Sequence, residues 1–127
     1  MATESERISS IHKYISNDVL VWKIHDNYHR GIADAYYSGK KQDLWIEYKS
    51  QIMTKKRRLT PRLSSLQRVW LRRQYELGRQ VWVIILTDVG HYILKNPDDW
   101  ERGPLPWDPC LAKYRLVAEA IQEHVHG

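Results

Sequence analysis

Six consecutive apolar residues, Val81-Trp82-Val83-Ile84-Ile85-Leu86, dominate the middle of the chain. The run is too short for a typical helix and rich in β-branched side chains, so it predicts a buried strand. Such a strand needs partners in a sheet and helices over it, and the flanking segments supply both. Ser5 to Ile15 carries Ile8, Ile11 and Ile15 at spacings of three and four, which predicts an amphipathic helix with Arg7, Ser10 and Lys13 turned away from the apolar stripe. Thr3 and Glu6 have capping-box spacing at its start, and Asn17-Asp18 suit its exit. Val19 to Ile24 reads as a strand. Gly31 opens a second, Ile32 to Tyr37, and Ser38-Gly39-Lys40-Lys41 turns it back into a third, Leu44 to Lys49, as a hairpin.

Thr54 to Thr60 reads as a basic loop. Pro61 and Ser64-Ser65 lead into a helix from about Leu66 to Leu77, which Gly78 ends. After the apolar run, Asp88-Val89-Gly90 turns into a strand at Tyr92 to Leu94, and Pro97 to Pro109 is expected to be irregular. Leu111 to Val125 predicts a closing helix with Leu116, Val117 and Ala120 inward. The order, helix, three strands, helix, strand and then additions, predicts an α/β fold with a mixed central sheet flanked by helices.

A chain of 127 residues suffices for one compact core and leaves little room for a second. The expectation is a single domain over residues 1–127, with a core at about 4–95 and a C-terminal extension at about 96–127. The apolar fraction of 43%, with six Trp, eight Tyr and no Phe, excludes a disordered chain. One cysteine, Cys110, cannot form an internal disulfide, and neither a membrane span nor a signal-peptide core is apparent, so a reducing cytoplasm is the expected location. The net charge of +5 is modest, but its distribution is uneven. Lys49, Lys55, Lys56, Arg57, Arg58, Arg62, Arg68, Arg72, Arg73 and Arg79 fall within one segment opposed only by Glu76. That concentration would attract a polyanion, although a solvated basic surface would read the same way.

Strand alternation puts Trp45, Glu47 and Lys49 on one face and Leu44, Ile46 and Tyr48 on the other. Asp34 belongs to the preceding strand, where a suitable register brings its carboxylate beside that of Glu47. Magnesium accepts one or two carboxylates, a carbonyl and several waters, and lowers the pKa of a bound water. Lys49 could then orient the attacking water or stabilise developing negative charge. Taken alone, a Glu and a Lys two apart are also what a surface ion pair presents, worth about 0–1 kcal/mol. The Gly-Ile-Ala-Asp entry, the apolar strand around Glu47 and the basic helix after it favour the catalytic reading.

His25 and His29 have a zinc-like spacing, but the distant Cys110 supplies no matching pair, so they read as loop residues near the site or the nucleic acid. Trp45, Trp70 and Trp82 read as core. Trp100 and Trp107, in the segment expected to be irregular, could stack on bases or cover a dimer surface. Neither a Gly-rich phosphate loop nor a Ser/His/Asp arrangement is evident.

Gly31-Ile32-Ala33-Asp34, Trp45-Ile46-Glu47-Tyr48-Lys49 and Leu63-Ser64-Ser65-Leu66-Gln67-Arg68-Val69-Trp70-Leu71 together resemble the PD-(D/E)XK nuclease superfamily. The likeness is to its VRR-NUC branch, the small virus-type replication and repair nucleases that include stand-alone phage and bacterial proteins. It extends over about residues 4 to 86. Ala33 departs from the branch, which usually has proline before the aspartate, a position that shapes the strand and binds no metal. The resemblance implies a restriction-endonuclease-like αβββαβ core. It also implies Asp34 and Glu47 as ligands of Mg2+ or Mn2+, with the Tyr48 carbonyl as a third, and Lys49 as the catalytic lysine. Gln67 matches a glutamine beside the site, and Glu4 matches the first-helix acid, a place that Glu6 could also take. Either glutamate would equally suit a helix N-terminus.

The expected function is a metal-dependent endonuclease that hydrolyses phosphodiester bonds in DNA. Lys55, Lys56, Arg57, Arg58, Arg62, Arg68, Arg72 and Arg73 would hold the nucleic acid. What the resemblance implies further is a homodimer acting on branched DNA, a Holliday junction or a flap, in the cytoplasm, for a phage-encoded protein that of the host. The alternatives are a nucleic-acid-binding module that keeps the fold without turnover, and a sequence-specific restriction-type nuclease, for which no separate target-recognition region is apparent.

Overall fold

The alternation along Asp43–Ser50 sets the layering of the molecule. Leu44, Ile46 and Tyr48 are fully buried on one side of this strand, while Trp45, Glu47 and Lys49 project to the other. The computed structural model describes residues 2–24, 31–52, 58–102, 105–106 and 113–127; for Arg58, Leu105 and Pro106 only the backbone is described. His25, His29, Lys55, Lys56, Arg57, Trp107 and Cys110 therefore lie outside the described residues.

In chain order the elements are α1 (Glu4–His12), β1 (Leu20–Lys23), β2 (Ala35–Ser38), β3 (Asp43–Ser50), β4 (Arg58–Leu59), α2 (Ser65–Glu76), β5 (Val81–Leu86), β6 (His91–Leu94), α3 (Pro97–Glu101), β7 (Leu105–Pro106) and α4 (Tyr114–Val125). Five strands form one sheet in the order β1-β2-β3-β5-β6, and β4 pairs with β7 in a separate two-stranded ladder. The β3–β5 pair is parallel and the other pairs are antiparallel, so the sheet is mixed. Joining two parallel neighbours requires a crossover, and α2 supplies it.

Each helix buries its stripe on one side of this sheet. Ile8 and Ile11 of α1, with Val117, Ala118, Ile121 and Val125 of α4, pack on Leu44, Ile46, Tyr48 and Ile84. Leu71 of α2 and Trp100 of α3 pack on Val81, Val83 and Ile85. All six residues of β5 are buried because both layers close over it. Among the described residues, no helix is long and apolar enough to cross a membrane.

Several expectations are corrected by this packing. The second strand begins at Ala35, so Asp34 stands immediately before it. Arg7 is buried at 7% exposure, although the helix periodicity turns it outward. In α4 Val117 is inward as expected, joined by Ala118, Ile121 and Val125, whereas Leu116 and Ala120 are only partly covered. The segment from Pro97 is helical at its start: Asn96 caps it by accepting from the Asp99 amide, and proline at its first turn needs no N–H partner. Trp100 is consequently core, at 0% exposure, and is neither a stacking platform nor a dimer cover. The basic loop after β3 contains the short strand β4, which finds its partner far along the chain.

Gly31 is where the chain passes closest to α2. Its φ is +90°, and a β-carbon there would lie 2.6 Å from the Leu66 carbonyl oxygen. Gly78, at φ +82°, ends α2 with open space around it. Gly31→Ala is therefore expected to carry both a backbone and a steric penalty, about 2–4 kcal/mol, whereas Gly78→Ala carries only the first, about 1 kcal/mol. Thermal denaturation followed by circular dichroism should rank them in that order, and equal melting temperatures would contradict the close approach at Gly31.

Candidate functional site

The β2–β3 hairpin assembles the site through its register. Ala35 stands opposite Ile46, so one step further places Asp34 opposite Glu47. The backbone amide of Tyr48 donates to Asp34 Oδ2 at 2.9 Å, which fixes that carboxylate against β3. Glu47 is on the α2 side of the sheet and only 2% exposed. Lys49, two residues on and on the same face, brings its Nζ to 3.5 Å from Glu47 Oε2.

From above, α2 contributes Gln67. Ser64 caps this helix by accepting from the Gln67 amide at 3.1 Å, and Gln67 Oε1 returns the contact by accepting from the Ser64 amide at 2.9 Å. With its oxygen committed to this capping box, the Gln67 side chain can offer only its NH2 group to the sheet, and that group donates to Glu47 Oε2 at 3.0 Å. From the opposite layer, Glu4 at the start of α1 accepts from the Ser50 amide through Oε2, at 2.9 Å. Glu6 instead lies in the exposed first turn, where its amide meets the Thr3 cap. Glu4 is thus the first-helix acid that reaches the end of β3.

Burial decides the electrostatics of this cluster. For Glu47 it is the largest effect, followed by the Asp34 carboxylate, and together they push the carboxyl up to about 9 against the opposing pull of Lys49. Asp34 is also raised, chiefly by burial, with the Tyr48 amide opposing. Glu4 is raised by burial and then by Asp34. With its carboxyl pushed up to about 9, Glu47 holds a proton at neutral pH beside Asp34. One nearby lysine does not offset the cost of burying charge here.

The donor set fits a small divalent cation. Glu47 Oε1 is buried and has no hydrogen-bond partner among the described residues, so an oxygen lone pair is left to be satisfied beside Asp34. Among the described residues no group of three or more His, Cys, Asp and Glu side chains forms a cation cage by itself. Two carboxylates and a main-chain carbonyl are the sparse set that magnesium accepts while keeping waters.

The basic residues divide. Arg62, Arg68 and Arg73 are exposed along the approach to and the length of α2. Arg72 is paired with Glu101 of α3 and lies 3.5 Å from Glu76, so it joins two helices. Two positioning residues escaped the sequence reading. Ser64 was legible as part of a Ser-x-x-Gln capping box with Gln67. Gln51, which donates to the Thr60 carbonyl at 2.8 Å and accepts from the Arg62 amide at 3.0 Å, carries no local signal, because its partners are backbone groups across a loop.

No protein-family model matches the chain, and no curated protein does. Among solved structures it is similar to the 1.6 Å structure of Archaeoglobus fulgidus Hjc, a Holliday junction resolvase from an archaeal hyperthermophile. The TM-score is 0.58 at 14% identity, over 91% of this chain and 96% of that one. The chain therefore has a restriction-endonuclease-like fold, a mixed five-stranded sheet flanked by helices.

The raised Glu47 carboxyl links stability to pH. Below its ordinary value of 4.5 the group is protonated whether folded or unfolded; between there and about 9 only the folded form keeps the proton. Its stabilising contribution is thus complete at low pH and is lost as pH rises through that window. In chelator, Glu47→Gln should flatten the decline in melting temperature between pH 5 and pH 9 relative to the unaltered protein. Parallel pH profiles for the two proteins would show that Glu47 is not a buried, proton-holding carboxyl.

Proposed function

We propose that the protein is a Mg2+- or Mn2+-dependent endonuclease that hydrolyses DNA phosphodiester bonds. The observation that carries this reading is the buried Glu47 carboxyl with an unsatisfied oxygen, beside the half-buried Asp34 and on the same face as Lys49. A surface ion pair would leave none of these groups buried. The motif order resembling PD-(D/E)XK nucleases, and within them the VRR-NUC branch, supports the same assignment, as does the fold shared with a Holliday junction resolvase.

In this reading Asp34 and Glu47 hold the cation, with the Tyr48 carbonyl as a third donor. When bound, the cation supplies a nucleophilic water at neutral pH and offsets charge on the scissile phosphate. The Tyr48 amide and Gln67 keep the two carboxylates in register, each through a hydrogen bond that survives only if hairpin and helix are both in place. Lys49 directs its ammonium toward the same space, where it orients the water or neutralises developing negative charge. Glu4 takes the remaining position at the mouth of the site, tied to the end of β3. Arg62, Arg68 and Arg73 hold the backbone of the nucleic acid, with Lys55, Lys56, Arg57 and Arg58 as further cations for it; Arg72 contributes charge from within its ion pairs.

The substrate is branched DNA, a Holliday junction or a flap, and the active form is a homodimer. One site cuts one strand, so two sites related by a twofold axis suit paired cuts in a symmetric junction. The whole chain, residues 1–127, acts as one domain in the cytoplasm.

Purified protein incubated with four-way-junction, flap and linear duplex DNA should cut the branched substrates in Mg2+ or Mn2+ and fall silent in chelator. Asp34→Asn and Lys49→Ala should each lower the rate on the order of 100- to 1000-fold or more. Cleavage that survives both substitutions would remove the site assignment. Binding of uncut DNA should weaken steeply with salt as phosphate contacts release counterions, and a flat response would count against the basic path along α2.

A further inference from the structure

On the layer opposite α2, a cavity of about 630 Å3 opens between α1, the turn joining β5 to β6, and the start of α4. Its charged lining consists of Arg7, Lys113 and Arg115, opposed by Asp88, with His91 and Tyr114 stacked beside them at 5.0 Å. Two independent features turn this space toward an anion. The first is the start of α4, a helix of 12 residues whose N-cap, Lys113, makes no side-chain capping bond. The Leu116 and Val117 amides turn back to the Lys113 carbonyl, those of Tyr114 and Arg115 have no acceptor among the described residues, and the dipole adds positive potential at that end. The second is Arg7, buried yet lining the cavity. Its Nη1 donates to the Thr87 carbonyl at 2.9 Å, while its Nε has no acceptor among the described residues. A guanidinium is not usually buried with a free donor unless something else satisfies it.

The position of the cavity gives this charge a use. Glu4 and Arg7 are one turn apart on α1, and they grip neighbouring strand ends: Glu4 the amide of Ser50 on β3, Arg7 the carbonyl of Thr87 after β5. Ser50 and Leu86 are register partners, so the cavity and the carboxylate cluster share one end of the sheet. The two differ in sign, acidic at the cluster and basic at the cavity.

We propose that this cavity is a second phosphate-binding site, which takes a backbone phosphodiester of the nucleic acid whose scissile strand lies at Asp34 and Glu47. It rests on the nuclease reading for its substrate, but the phosphate site itself does not. Together with the basic path along α2 it gives the protein a grip on both sides of the sheet, as a branched substrate with diverging arms requires. Lys113 and Arg115 close on the phosphate from the rim, Arg7 from the floor and the Tyr114 and Arg115 amides from one wall.

The test uses Lys113→Ala/Arg115→Ala, two exposed cations, because Arg7 also ties α1 to β5; Lys40→Ala, an exposed lysine away from the cavity, is the control. Inorganic phosphate, titrated in a phosphate-free buffer and followed by 15N-resolved NMR, should shift the amides of Gly90, Tyr114 and Arg115 saturably in the unaltered protein and not in the double variant. In chelator, the double variant should bind a four-way junction about tenfold more weakly, with the salt slope reduced by about 1 for the one lost phosphate contact, while Lys40→Ala changes neither. Oligonucleotides with a 5′-phosphate or a 5′-hydroxyl separate the two sources of phosphate. Equal, cavity-dependent affinity supports an internal phosphodiester; dependence on the 5′-phosphate supports a terminal monoester in the same site. Absent amide shifts, with junction affinity and salt slope unchanged in the double variant, would overturn the proposal. Amide shifts in a protein that cuts no DNA would overturn the nuclease reading and leave the cavity standing.

Discussion

The structure depends on the price of putting Glu47 in the interior. A carboxylate at that depth is stable only with protonation, hydrogen bonds or a cation, and the surrounding elements are arranged to supply them. The β2–β3 register delivers Asp34 as the neighbouring carboxyl, the capping box of α2 aims the Gln67 amide, and Lys49 follows two residues later on the same face. Every one of these partners comes from a different local rule: hairpin pairing, helix capping and strand alternation. Their convergence on one carboxyl is more than an incidental ion pair needs.

The same burial explains why the two layers of the molecule matter to its chemistry. The α2 side covers Glu47 and orients it, and the α1–α4 side presents Glu4 and Arg7 to the exposed strand ends. Between them, β3 and β5 run parallel and finish together at Ser50 and Leu86, so Lys49, Glu4 and Arg7 collect at that end of the sheet. This is the usual consequence of parallel neighbours joined by a crossover helix: strand ends become a shared edge on which sites can be built.

Much of this was legible in the chain. The alternation in Leu44–Lys49 correctly put Leu44, Ile46 and Tyr48 on one face and Trp45, Glu47 and Lys49 on the other, and the unbroken apolar run Val81–Leu86 identified the strand that both layers bury. What was less legible depends on distant partners. Arg7 looks like a surface residue on its helix, and the acceptor that holds it inward, the Thr87 carbonyl, is contributed from 80 residues away. The β4–β7 pair likewise unites segments that carry no local strand signal. Trp100 was misjudged for a local reason, since the Asn96-Pro97 helix start was present and went unread. For Glu4 against Glu6, spacing alone left the choice open, and the Ser50 amide resolves which of them reaches the strand end.

The most direct measurement is paramagnetic broadening by Mn2+ of the assigned amide resonances, in the unaltered protein and in Asp34→Asn. If Asp34 and Glu47 hold a divalent cation, substoichiometric Mn2+ will broaden the amides of residues 34, 47 to 49 and 67 first, and Asp34→Asn will abolish that pattern. Broadening spread over surface carboxylates, or centred on the cluster but indifferent to Asp34→Asn, would contradict the account.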